Sequence, residues 1–178
     1  MRYIFLLLLF SSTLFAQEEL PKGKSGLVEF TEVVEVSGLS KAELYANAKA
    51  WFASNYKSPN VIKSEDAMDG KINAKSMFKI MSKPGGTDKG GFVHYILNLE
   101  IKQGRYRYTI NSLKHSDKTN TIGTGGKLER EEPFCGYEVM SAEMWKGIKE
   151  LSVEGVKELI ENLKKGMAYV ESNKKSDW

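Results

Sequence analysis

The amino-acid sequence predicts an α+β domain: a curved antiparallel sheet of about five strands, elements in the order β-α-β-β-β-β-α, with both helices on one face. Three stretches predict it. Phe92–His115 alternates apolar and polar residues along two arms joined at Gln103-Gly104. A period of two broken by one glycine is the pattern of a half-buried hairpin. Ser40 and Glu43 have capping-box spacing, with Leu39 and Leu44 placed as a hydrophobic staple, before an apolar stripe of helical period. Val153, Val156, Ile160, Leu163, Met167 and Val170 trace a second such stripe near the end of the chain.

In chain order, Met1-Arg2, the apolar run Tyr3–Phe10 and small residues up to Ala16 form a secretory-signal pattern. The run is shorter than the ~20 residues that span a bilayer. Cleavage after Ala16 leaves a periplasmic or secreted chain of 162 residues with no membrane span, enough for one domain. The segment 17–25 reads as a flexible polar leader, 26–171 as the domain and 172–178 as a polar tail. Leu27–Val36 is the first strand, with a phase slip at Val33-Val34 that suggests a bulge. The first helix carries Leu44, Tyr45, Ala48, Trp51, Phe52 and Asn55 on one stripe and ends before Pro59. Asn60–Asp66 and Lys71–Met81 are strands around the turn dipeptide Asp69-Gly70. Ser82–Gly91 is a glycine-rich loop.

In the hairpin, a two-residue loop sets Lys102 opposite Arg105, Glu100 opposite Arg107, Leu99 opposite Tyr108 and Leu97 opposite Ile110, with His94 facing Leu113. In the long loop 116–137, the stretch 116–132 is almost free of apolar residues and reads as functional or disordered, while Pro133-Phe134-Cys135-Gly136-Tyr137 is placed to pack it back against the body. Ser141–Gly147 forms a helical turn, and the last helix starts near Ser152. The predicted core is Phe30, Leu44, Ala48, Trp51, Phe52, Ile72, Phe78, Leu97, Leu99, Tyr106, Tyr108, Ile110, Ile160 and Leu163.

Chemistry is sparse. Lys and Arg number 26 against 23 acids, a net charge of +3 spread along the chain rather than a nucleic-acid footprint. One cysteine, Cys135, precludes an internal disulfide, and with two histidines it cannot supply a zinc site of Cys and His ligands. Gly123-Thr124-Gly125-Gly126-Lys127 misses phosphate-loop spacing, with Leu128 where the hydroxyl belongs. His94 and His115 are the only general-base candidates of ordinary pKa, and no nucleophile elbow accompanies them. They read as solvated or capping residues. The sequence thus predicts no enzyme and no cofactor. Its best surface is the solvent side of the sheet, where Lys71, Lys75, Lys79, Arg105 and Arg107 form a basic field tempered by Glu100.

The strand VEFTEVVEV followed by LSKAELYANAKAWFASNY, the arms HYILNLEIKQGRYRYTINSLKH and the closing ELIENLKK resemble the bacterial exported domain-of-unknown-function family 4468. The resemblance implies a TBP-like fold and export, and carries no activity, cofactor or catalytic residue; a fold name does not transfer DNA binding. The functional expectation is a non-catalytic envelope protein that binds a protein or an anionic glycan through the sheet face or loops. The alternative is a small-molecule binder with a pocket between sheet and helices, lined by Tyr45, Trp51, Tyr106 or Tyr108.

Overall fold

The computed structural model describes residues 20–81, 90–117 and 123–169. The expected signal segment 1–16, residues 17–19 of the leader, loop residues 82–89, residues 118–122 and the tail, including Val170 and Trp178, lie outside the described residues.

Six strands form one antiparallel sheet. They are β1 (Glu29–Glu35), β2 (Ile62–Asp66), β3 (Lys71–Lys79), β4 (Phe92–Lys102), β5 (Arg105–Ser116) and β6 (Gly126–Lys127). The order across the sheet is β1-β5-β4-β3-β2, and β6 pairs the far end of β5. Helix α1 (Lys41–Asn55) crosses from the β1 edge to the β2 edge, and α2 (Ala142–Met167) packs beside it. Both helices lie on one face, so the sheet has a dry side and an open side.

The capping box forms as its spacing dictates. The Ser40 side chain accepts from the Glu43 amide at 3.2 Å, and the Glu43 carboxylate accepts from the Ser40 amide at 2.8 Å. Leu39 and Leu44 are both buried. Trp51 locks α1 to α2 by donating from Nε1 to Asn162 at 2.6 Å, while Asn47 donates to the carbonyls of Met167 and Tyr169 at the end of α2. The hairpin register from Lys102↔Arg105 through Glu100↔Arg107 and Leu99↔Tyr108 to Leu97↔Ile110 is the expected one.

Four expectations are corrected. The register of β1 against β5 is unbroken, so no bulge stands at Val33-Val34. The apparent phase slip comes from Glu32, which turns to the helix side. There it accepts the Tyr108 hydroxyl at 2.7 Å and pairs with Lys164 at 2.9 Å. Lys164 and then Tyr108 hold its carboxyl below the usual carboxylate range.

The second correction concerns β5, where the register shifts between His94 and Ile96. Ser112 has a positive φ of 56° and supplies the extra residue. A slip of one residue exchanges the two faces. Leu113 and His115 therefore turn to the dry side, and His94 faces Lys114 rather than Leu113.

The third concerns α2, which begins ten residues earlier than Ser152, with Ser141 capping the Met144 amide at 3.2 Å. Its buried stripe runs through Ser152 rather than Val153. The Ser152 hydroxyl is satisfied within the helix by the Ile148 carbonyl at 2.6 Å.

The fourth concerns residues 123–132, which fold against the sheet through β6 rather than standing as a structureless loop, while Pro133–Tyr137 packs back as expected. Leu128 and Met140 are fully buried, and the Phe134 and Cys135 amides donate to the carbonyls of Gly125 and Thr124. The core contains the predicted residues except Phe30 and Phe78, which pack on it half-buried. From Leu20 on, the leader's backbone folds back on β1 through a Lys22↔Val28 bridge and the Glu29 amide on Pro21.

Candidate interaction face

Three features were candidates for chemistry, and the geometry separates them. The first is the pair of histidines. His115 is not solvated: it is fully buried. Its Nδ1 accepts the Gly125 amide at 3.0 Å, which forces the ring proton onto Nε2, and that nitrogen donates to the Gly90 carbonyl at 2.8 Å. Burial lowers its pKa. His94 sits on the open side, where Nε2 meets the Ser116 hydroxyl at 2.8 Å in a diagonal tie between β4 and β5. The bulge therefore puts the two imidazoles on opposite faces of the sheet.

The second feature is a pocket between sheet and helices. Trp51, Tyr106 and Tyr108 are buried in the core, while Tyr45 is half-buried against it. A cleft lined by other residues lies between α1 and the β2 edge, with a volume of ≈ 550 Å³. Aromatic side chains at helix-stripe positions fill the interior because close packing leaves few voids.

The third feature is the open face. The strand alternation sends Lys71, Lys75, Lys79, Arg105 and Arg107 to this side, all exposed. They do not act as one field. Lys71 lies 3.1 Å from Asp69, Arg107 2.6 Å from Glu100 and Arg105 3.7 Å from Glu35. These three are answered by acids, and Glu35, Asp66 and Glu100 all gather at the hairpin end of the sheet. Lys75 and Lys79 have no carboxylate within ion-pair distance among the described residues.

Two lysines that sequence reasoning did not include join Lys75 and Lys79. The rungs of the ladder place Met77, His94, Lys114 and Lys127 in one row across β3, β4, β5 and β6. Lys79 and Phe92 share the next row, Lys75 and Ile96 the one before. At about 4.8 Å per strand, Lys114 stands roughly 10 Å from Met77. The result is a quadrant of four lysines around His94, Met77 and the half-buried Phe92 and Ile96. Neither Lys114 nor Lys127 meets a carboxylate among the described residues. The only signal for Lys114 lay in the bulge, and β6 is too short to have a readable period.

Among the described residues no helix is long and apolar enough to cross a membrane. Comparison with known proteins places the fold. Residues 30–116 match the family model described as a domain of unknown function (DUF4468) with TBP-like fold. A TBP-like protein from Parabacteroides distasonis ATCC 8503 superposes with a TM-score of 0.67 at 20% identity, over 85% of this chain and 99% of that one. A DUF4468 family protein from Bacteroides ovatus ATCC 8483 gives 0.64 at 13% identity, over 86% and 92%. No curated protein matches the chain. The antiparallel sheet with two helices on one face is the TBP-like architecture, and residues 30–116, just under half of the chain, match the DUF4468 family model.

Proposed function

We propose that this protein is an exported, non-catalytic envelope domain that binds an acidic partner, a protein surface or an anionic glycan, on the open face of its sheet. The observation that carries the reading is the quadrant of Lys75, Lys79, Lys114 and Lys127, whose charges no acid of the described fold answers. Phe92, Ile96 and Met77 supply apolar contact between those charges, and Met77 is 38% exposed. A charged rim around apolar contact is the usual make-up of a recognition surface. The signal pattern of the first 16 residues supports export.

The test separates the quadrant from the rest of the face. Binding to immobilised alginate, and to an acidic protein, is measured for the wild type, for Lys75→Glu/Lys79→Glu/Lys114→Glu/Lys127→Glu and for Arg105→Glu/Arg107→Glu. Four exposed charge contacts are together worth about tenfold to thirtyfold in Kd, so the quadruple variant loses that much. The arginine pair changes binding less, because those guanidiniums already have partners. Equal losses in the two variants, or none in the quadruple, overturn the reading.

A further inference from the structure

The cleft between α1 and β2 lies at the outer edge of the sheet, away from the lysine quadrant on β3 to β6. Its walls are the α1 flank on one side and the segment from Ser58 to Glu65 on the other. Phe52, Tyr56, Val61 and Ile62 make an apolar floor. The Phe52 and Tyr56 rings are tilted together at 5.8 Å, and the Tyr56 hydroxyl is turned onto Tyr95 at 2.5 Å. Tyr56 therefore offers the cleft its ring rather than a polar tip.

The rim is basic. Its one acid, Glu65, is held by Lys49 at 2.5 Å. Lys57 and Lys63 line the same cleft with no carboxylate partner among the described residues; Lys63 reaches only the Asn60 carbonyl at 2.7 Å. A volume of ≈ 550 Å³ is in the range of small-ligand sites. Edge-to-edge addition of a peptide strand is disfavoured, because β2 has a register break at Lys63 and exposed charges at Lys63, Glu65 and Asp66.

We infer that this cleft is a second binding site, one that takes a small amphiphile with an apolar body and a single anionic head, such as a medium-chain carboxylate. The body lies on Phe52, Tyr56, Val61 and Ile62. The head is taken by Lys57 and Lys63, which need no rearrangement of the Lys49–Glu65 pair.

The experiment is calorimetric titration of the purified protein with decanoate below its micelle concentration, and with decylammonium as the cationic counterpart. Decanoate binds saturably at one site. Lys57→Glu/Lys63→Glu weakens it about tenfold and favours decylammonium. Ala53→Trp, which fills the cleft from the exposed flank of α1, abolishes both. Lys75→Glu/Lys79→Glu leaves decanoate binding unchanged, which separates this site from the sheet face. Circular dichroism confirms that each variant is folded. Absence of saturable decanoate binding, or equal affinity in Lys57→Glu/Lys63→Glu, overturns the proposal.

Discussion

At the scale of single residues, Ser112 and His115 decide the most. A serine at positive φ is uncommon, since a left-handed conformation brings its Cβ toward the backbone. Here it inserts the extra residue that turns His115 inward, beside Asp117 and with His94 across the sheet. Only the neutral imidazole fits, because a proton on Nδ1 would face the Gly125 amide. The folded-state pKa is lowered from 6.5, so the unfolded chain takes the proton more readily. The associated stability is complete above about pH 6.5 and is lost as pH falls through that value toward the folded pKa. His115→Gln is destabilised by about 1–3 kcal/mol at pH 7.5, since a buried hydrogen-bonding group loses a partner. By pH 5.5 the gap to wild type narrows, as urea midpoints at the two pH values measure. A gap independent of pH refutes the single-tautomer account. Nothing in the string Asn111-Ser112-Leu113 announces this, because serine has no special preference for the conformation it adopts.

At the scale of elements, α2 was only partly legible. Gly147 reads as a terminator, yet a helix tolerates glycine at a cost of about 1 kcal/mol. Burial of Trp145 and Ile148 outweighs that cost, and Trp145 is further tied by donating to the Arg130 carbonyl at 3.1 Å. The three glycines of α2 make distinct predictions. A Cβ on Gly147 meets nothing within 4 Å, whereas on Gly155 it would stand 2.3 Å from the Phe78 ring and on Gly166 2.4 Å from Trp51. Gly147→Ala therefore gains roughly 0.5–1 kcal/mol from helix propensity. Gly155→Ala and Gly166→Ala lose about 1–3 kcal/mol, because overpacking displaces aromatic rings. Thermal midpoints check the opposite signs; a shared gain in all three removes the argument for close helix–sheet and helix–helix approach. The hairpin loop and its near rungs were legible because alternation and the two-residue turn agree there. The register beyond Ser112 was not.

On the scale of the whole molecule, placing both helices on one side divides the sheet into a core and a display surface. The display surface is itself uneven in charge: acids and bases pair at the hairpin end, while at the other end four lysines form no ion pair among the described residues and Glu29, in the row of Lys75, is held by Asn111. Attraction from exposed charges is screened over roughly 8–10 Å at ordinary ionic strength. Capture of an acidic partner on this face therefore weakens steadily as salt rises from about 50 to 300 mM. The quadruple lysine variant shows a flatter salt dependence in the same column assay. Equal slopes for the two proteins place the attraction elsewhere. The single net charge figure concealed this, because a sum of charges does not say which of them are neighbours.

By itself, the sequence determined what local physics can specify. Periods of two and of 3.6, a capping box and a turn glycine set out the β-α-β-β-β-β-α order and the register nearest the hairpin turn. They also determined the side of the sheet on which Lys71, Lys75, Lys79, Arg105 and Arg107 stand. Only the tertiary structure decided which of these charges are neutralised, since their partners Glu35 and Glu100 lie on neighbouring strands. It also decided that Lys114 and Lys127 complete the basic quadrant, through one serine at positive φ and a two-residue strand that pairs at long range. Such features arise where chain segments distant in sequence meet, and no local pattern encodes them.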